Sequence, residues 1–198
     1  MMERILELEQ ENVRLREQVT RLQKERNLYK ENLEQLVRRA ELDFLTGLYN
    51  RNSVHRKIED CLKREPDGNF ALCFLDLDNF KQVNDRYGHS YGDEVLRDIA
   101  GAIRKSVSET DMAGRFGGDE FLVFMREIND REDILRRAES VCGRIREGGL
   151  AAGLTASMGI ACYPEDGRLF QELLDKADTA LYRCKCMGKD RIQFTAKE

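Results

Sequence analysis

Two acidic stretches in this chain carry residue types suited to phosphate chemistry: Phe74-Leu-Asp-Leu-Asp78 and Arg115-Phe-Gly-Gly-Asp-Glu-Phe121. Asp76 follows directly on Phe70–Leu75, a continuous apolar run that predicts a buried central strand. Asp119 and Glu120 follow the Gly117-Gly118 turn of a predicted hairpin over 112–125. If the hairpin lies beside that strand, three carboxylates converge at one sheet edge. Alone they would repel one another and be costly to desolvate. A divalent cation resolves both problems. Mg²⁺ (or Mn²⁺) takes hard oxygen ligands, and Mg²⁺ is usually held by one or two carboxylates plus substrate phosphates. Such a centre polarises a phosphate and activates a hydroxyl. Gly117 and Gly118, lacking side chains, let a ligand approach the backbone closely.

A phosphate-bearing ligand also needs donors. Asn79-Phe80-Lys81 opens a predicted helix, whose first amides make an anion site. Lys185 and Lys189 bracket Gly188 near the end of the last long helix and can reach a triphosphate. Each feature has an ordinary reading by itself. Gly-Gly is a plain turn, Asp-x-Asp a helix cap, a surface lysine a solvated charge. Their order and combination favour a site.

The elements that would position these residues are readable from periodicity. Helices are predicted over 51–65, 79–87, 93–107, 133–146 and 168–186, with strands over 70–75, 154–162 and about 190–195 beside the hairpin. Pro66-Asp67-Gly68 ends the first of these helices. This is a mixed α/β (α+β) domain with helices over a sheet that is not purely parallel.

Composition narrows the setting. The chain has 198 residues, 35% charged, with net charge −4, so nothing global attracts nucleic acid or an acidic membrane. No apolar run approaches the roughly 20 residues of a membrane span. The charged start Met-Met-Glu-Arg-Ile-Leu-Glu is no signal peptide. The six cysteines lack zinc spacing, and Cys184-Lys-Cys186 is better read as ordinary small thiols than as ligands. The expectation is a cytoplasmic protein with reduced thiols, no nucleic-acid partner and no direct membrane contact.

Residues 1–42 differ from the rest: no Gly, no Pro, nine basic and nine acidic side chains. Heptad position a reads Ile5, Asn12, Val19, Arg26, Leu33, Ala40, and position d reads Leu8, Leu15, Leu22, Tyr29, Leu36. β-Branched residues at a with Leu at d favour a parallel two-stranded coiled coil, and a polar Asn12 at a fixes register. Arg4 with Glu9, Glu11 with Arg16, and Glu25 with Lys30 supply attractive pairs between strands. The alternative is one amphipathic helix folded on its own domain. Two units follow, a dimerising helix over 1–42 and a globular domain over 43–198, with Gly47 marking a turn and part of a hinge.

Taken in order, the motifs resemble the GGDEF-domain diguanylate cyclases. They are Asp43-x-Leu-Thr-Gly-Leu-x-Asn50-Arg51, Phe74-Leu-Asp-Leu-Asp-Asn-Phe-Lys81, Asn84-Asp-x-Tyr-Gly-His-x-x-Gly-Asp93, Arg115–Phe121, Ser157-Met-Gly-Ile160, and Ala180-Leu-Tyr-x-x-Lys185-x-x-Gly-Lys189. The resemblance spans 43–198. It implies a fold like the palm of polymerases and nucleotide cyclases, and condensation of two GTP to cyclic di-GMP with release of two pyrophosphates. It implies that Asp76, the Leu77 carbonyl and Asp119 bind the metal with Glu120 joining them, and that Asp119 or the metal helps deprotonate the attacking 3′-hydroxyl. Asn84 and Asp93 would read guanine. Asn79, Phe80, Lys81, Lys185 and Lys189 would hold phosphates, Lys189 standing where the family often has Arg. Two sites must face each other, so a homodimer through 1–42 is implied, with a sensory module upstream. One departure concerns the Arg-x-x-Asp product-inhibition site. Here the stretch is Ser108-Glu-Thr-Asp111, so Asp111 remains but Ser108 replaces the Arg, and feedback through this site should be weak or absent. The competing reading is a catalytically silent GTP- or cyclic-di-GMP-binding module.

Overall fold

The computed structural model describes residues 2–148 and 153–196. They fall into two compact units, Met1–Ala40 and Glu41–Glu198. The first is almost all of one helix, α1 (Met2–Glu41). Of its heptad positions, the side chains of Ile5 and Leu8, and of the charge pair Arg4 and Glu9, lie outside the described residues. Leu15, Val19, Leu22, Tyr29, Leu33 and Leu36 all face water, from 49% exposed at Leu15 to 74% at Tyr29.

The second unit runs β1 (Tyr49–Asn50), α2 (Arg51–Arg64), β2 (Phe70–Asp78), α3 (Phe80–Tyr87), α4 (His89–Ser106), β3 (Met112–Gly117), β4 (Glu120–Met125), α5 (Arg131–Gly148), β5 (Thr155–Tyr163), α6 (Phe170–Cys186) and β6 (Ile192–Phe194). The six strands form one sheet in the order β1-β3-β4-β2-β5-β6. The two edge pairings, β1–β3 and β5–β6, are parallel; β3–β4, β4–β2 and β2–β5 are antiparallel. This mixed sheet between helices is the palm-like arrangement that the motifs imply.

Strand alternation explains the unbroken apolar run at the centre of the sheet. Phe70, Leu72 and Phe74 of β2 pack with Leu122 and Phe124 of β4 under α2 and α6. Ala71, Cys73, Leu75 and Leu77 pack on the opposite face with Phe121, Val123 and Met125 under α3, α4 and α5. Local chemistry sets the helix starts. Asn50 caps α2, its side chain accepting from the Ser53 amide at 3.0 Å.

Two boundaries near the site, and one short strand, differ from the sequence expectation. β2 continues to Asp78, so Asp76 lies inside the strand rather than after it. Pairing on both sides, with β4 through Glu120 and with β5 through Ser157 and Thr155, keeps the backbone extended past the apolar run. α4 starts at His89, four residues early, because Gly88 at φ 84 redirects the chain directly out of α3 and its carbonyl accepts from the Gly92 amide. β1 is a two-residue strand too short for a periodicity signal. The cysteines are free thiols. Cys184 is buried and donates to the Met158 carbonyl, while Cys186 is exposed, so the two do not share a face. Burial pushes the Cys142 thiol up to about 12, which keeps it protonated and inert.

Candidate active site

The register of the sheet builds the acidic cluster. Asp76 stands directly opposite Glu120 across the β2–β4 ladder. By alternation both share the α2/α6 face with Phe74 and Leu122. The Gly117-Gly118 turn is drawn to the same place, since the Leu77 amide donates to the Asp119 carbonyl at 3.2 Å. α6 delivers a counter-charge: Lys185 Nζ lies 2.9 Å from Asp76 Oδ2.

The electrostatics record this crowding. Burial pushes the Asp76 carboxyl above the usual range and the Asp119 charge adds to it, with the Lys185 hydrogen bond opposing. Burial also raises Glu120, reinforced by Asp76 and then Asp119. Like charges directly opposite in a sheet are normally avoided, so the pair sits in a place that invites a cation. Among the described residues, no three His, Cys, Asp or Glu side chains form a ready-made cation cage. The cluster is two facing carboxylates, with a third acid close enough to perturb both. That donor set still fits a hard cation completed by a ligand's oxygens.

The two glycines divide their tasks. A Cβ on Gly117 would stand 3.3 Å from Glu120 Oε2, so the space at Gly117 belongs to Glu120. Gly118, at φ 37, has nothing within 4 Å of a Cβ position and is the open approach.

The expected phosphate donors gather beside this edge. Phe80 is buried and anchors the first turn of α3, whose leading amides have no intrahelical acceptor. Lys189 Nζ donates to Asn79 Oδ1 at 2.6 Å, and Lys81 is exposed. Asn84 on α3 is placed against α4: a Cβ on Gly92 would sit 1.9 Å from Asn84 Oδ1, so the amide occupies that glycine's empty side next to Asp93.

Sequence reasoning left Arg115 and Asp43 without roles, although both lie in quoted motifs. Arg115 donates from Nε and Nη2 to the Gly118 carbonyl at 2.9 and 2.7 Å, and its Nη1 lies 3.3 Å from Asp43 Oδ1. Asp43 also accepts from the Thr46 amide and hydroxyl. Burial would raise its carboxyl, but the Thr46 bonds and Arg115 outweigh that and hold it low. The turn that opens the globular unit is thereby bonded to the hairpin that carries Asp119. Arg104, donating to the Thr46 carbonyl at 3.1 Å, braces the Gly47 turn further.

Asp111 faces inward. It accepts from the Ser108 amide at 2.8 Å, the Arg126 amide at 2.9 Å and the Arg137 guanidinium, and its side chain is 1% exposed. Burial alone would raise it; the Arg137 bond and the two amides hold it below the usual range. Ser108 pairs with Thr110 instead of a ligand.

The family model for the diguanylate cyclase GGDEF domain matches residues 40–191. The diguanylate cyclase DgcP of Pseudomonas aeruginosa is 35% identical over 189 residues, covering 90% of this chain and 27% of that protein. The cyclic di-GMP phosphodiesterase NbdA of the same organism is 36% identical over 166 residues, covering 80% and 21%. The chain thus spans about a quarter of the length of these two relatives. Among solved structures, the coiled coil and GGDEF domain of DgcB from Caulobacter crescentus, in complex with c-di-GMP, superposes with TM-score 0.78 at 26% identity, covering 91% of this chain and 98% of that one. The diguanylate cyclase SiaD in complex with its activator SiaC, from Pseudomonas aeruginosa, gives TM-score 0.71 at 30% identity, covering 96% and 75%. With its sheet, its facing acids and its matched span in agreement, this chain belongs to the GGDEF-domain diguanylate cyclase family.

Proposed function

We propose that this chain is an active diguanylate cyclase, condensing two GTP into cyclic di-GMP and two pyrophosphates. The observation that carries the reading is Asp76 opposite Glu120, with the Asp119 carbonyl bonded to the next strand residue and Lys185 alongside. Asp76, Asp119, Glu120 and the Leu77 carbonyl would hold Mg²⁺ (or Mn²⁺), which supplies Lewis acidity toward the α-phosphate and the 3′-hydroxyl when bound. Asp119 takes the proton from the 3′-hydroxyl. That oxygen bonds to the α-phosphorus of the other GTP, the α–β bridging P–O bond breaks, and pyrophosphate leaves with the bonding pair. A second, symmetric transfer closes the ring. Lys81, Lys185, Lys189 and the amides at Asn79 and Phe80 bind the phosphates. Asn84 and Asp93 read the guanine edge, Asp93 accepting from N1–H and the 2-amine, a donor pair that adenine does not offer.

Each subunit carries one GTP, so two copies must meet. Residues 1–42 are the means: the exposed Leu15–Leu36 stripe is the seam of a parallel coiled coil with a second copy. An upstream sensory module would act on the same helix. Among the described residues no helix is long and apolar enough to cross a membrane; the substrate places the work in the cytoplasm.

The deciding assay supplies GTP and Mg²⁺ to wild type and to Asp119→Ala and identifies the product chromatographically. Cyclic di-GMP from wild type alone supports the reading. GTP or cyclic di-GMP binding without turnover by wild type would make the chain a silent binding module instead. Leu22→Pro should lower specific activity at nanomolar protein by at least about tenfold and lose less at micromolar protein, because the helix supplies effective concentration. Full activity at high dilution would remove the coiled coil from the mechanism. Gly92→Ala should raise the KM for GTP about tenfold by displacing Asn84, with kcat changed less; an unchanged KM would separate Asn84 from base recognition.

A further inference from the structure

We propose that Asp78 is a positioning residue of the phosphate site, acting through the 188–191 loop to fix where Lys189 stands. Its catalytic meaning rests on the cyclase reading above.

Asp78 is the last residue of β2 and is 2% exposed. A carboxylate so buried must be fully bonded. Thr155 Oγ1 donates to its Oδ2 at 2.7 Å, Ser157 Oγ to its Oδ1 at 2.8 Å, and the Asp190 backbone amide to its Oδ2 at 3.0 Å. The first two bonds stay within the β2–β5 pair, where Asp78 is directly opposite Thr155. The third reaches the loop that follows α6.

That loop adopts a conformation that side chains resist. Gly188, Lys189 and Asp190 have φ of 106, 65 and 45, so two successive non-glycine residues are left-handed. Such backbone persists only where its surroundings hold it, and it concentrates at functional sites. Several bonds hold it here, among them those from the Met158 amide to the Arg191 carbonyl at 2.9 Å and from the Gly188 amide to the Lys185 carbonyl at 3.4 Å. The Asp190 amide is bonded to Asp78, the Asp190 carboxylate lies 2.6 Å from Arg146, the Lys189 amide donates to Cys184 O at 3.0 Å, and Arg191 Nε donates to Lys189 O at 3.1 Å. The Arg146 pair is half-exposed and correspondingly weak. The Asp78 bond is buried and charge-assisted, the stronger kind.

The consequence is read at the end of the side chain. Lys189 Nζ meets Asn79 Oδ1, and Asn79, at φ 63, is the residue next to Asp78. One buried carboxylate therefore locates both walls of the phosphate cradle: Asn79 and the start of α3 by chain continuity, and Lys189 by hydrogen bond. Asp76, two residues earlier, faces Glu120 and Lys185 instead. The two acids of one motif thus divide into a ligand-facing member and a scaffold member.

The test is Asp78→Asn, alone and combined with Lys189→Met, in the full chain. Asn keeps the shape but loses the charge and one acceptor. Asp78→Asn should raise the KM for GTP about five- to tenfold with kcat within about twofold. In the Lys189→Met background the same change should move KM less than about twofold, because the two act through one group. Amide exchange at Asp190 should be at least about tenfold faster in Asp78→Asn. An equal rise of KM in both backgrounds, or unaltered exchange at Asp190, overturns the proposal. Were wild type to make no cyclic di-GMP, the cyclase reading would fall and the exchange measurement would still decide the tether. If Asp78→Asn does not fold, Arg146→Ala loosens the same loop from the surface. It should raise KM about two- to threefold, and only when Lys189 is present; no change in KM would count against the tether.

Discussion

Glu120→Gln is expected to move stability and activity in opposite directions, raising the melting temperature of the metal-free protein while lowering turnover by about 10²–10³-fold. The activity loss follows from removing one of the carboxylates that would hold the cation used in phosphoryl transfer. The stability gain follows from the sheet register. Glu120 stands opposite Asp76, and its neighbouring charges are mostly like its own. Relief of a cross-strand like-charge pair is worth about 0.2–1 kcal/mol, or about 0.5–4 °C for a protein of this size. The pH dependence gives the sign independently. Glu120 titrates above its ordinary range in the fold, so the folded state holds its proton more tightly than the unfolded chain. Its charge therefore costs stability at neutral pH, and that cost fades as pH falls through the raised value. Calorimetry should show the Gln variant ahead at pH 7.5 and level with wild type near pH 4. Mg²⁺ should then stabilise wild type more than the variant, since only a cation bound to the folded form raises its melting point. A Gln variant less stable than wild type at neutral pH without metal would mean that Glu120 has a structural partner, and the cation argument would lose its basis.

The second large effect concerns the Ser108–Asp111 turn. Asp111→Ala should destabilise the protein by about 2–4 kcal/mol, because it removes the buried carboxylate that accepts from two backbone amides and the Arg137 guanidinium, leaving Arg137 its bond to the Arg126 carbonyl. Urea denaturation measures this, and Arg137→Met in the same background should recover part of the loss. Its pH arm runs opposite to that of Glu120. Asp111 titrates below its ordinary range, so its contribution is complete above that range and drains away only as pH falls through the depressed value. Product titration should show weak or no feedback through this turn, since Asp111 is spent on internal bonds. Strong inhibition relieved selectively by a folded Asp111 variant would overturn that. Asp111 has a structural use of its own: it closes the turn before β3 and ties the end of β4 to α5.

Arg115 shows how the two readings differ in kind. Its place just before Gly-Gly is visible in the chain, but its partners, the Gly118 carbonyl and Asp43, are separated from each other by 75 positions of sequence and join only in the fold. The same holds for Asp78. As text it is the second acid of Asp-x-Asp and reads as a helix cap. In the fold α3 has no side-chain cap, and Asp78 turns to Thr155, Ser157 and Asp190. The position of Lys185 suggests a phosphate ligand, and in the fold its Nζ pairs with Asp76.

What the amino-acid sequence determined is what depends on neighbours along the chain. Hydrophobic period placed the helices and the central strand to within a few residues, Gly and Pro placed the turns, and heptad spacing marked α1 as a helix with an apolar stripe. The order of the motifs was enough to place the chain in its family. The tertiary structure alone decided what depends on register and on long-range bonds. It set Asp76 opposite Glu120 rather than one residue away, gave the space at Gly117 to Glu120 and left Gly118 open, and turned Asp111 and Asp78 inward. A strand's side chains alternate faces, so a shift of one residue would send Asp76 into the opposite core. Periodicity cannot see that choice; two ladders of hydrogen bonds, each closing over dozens of residues, make it.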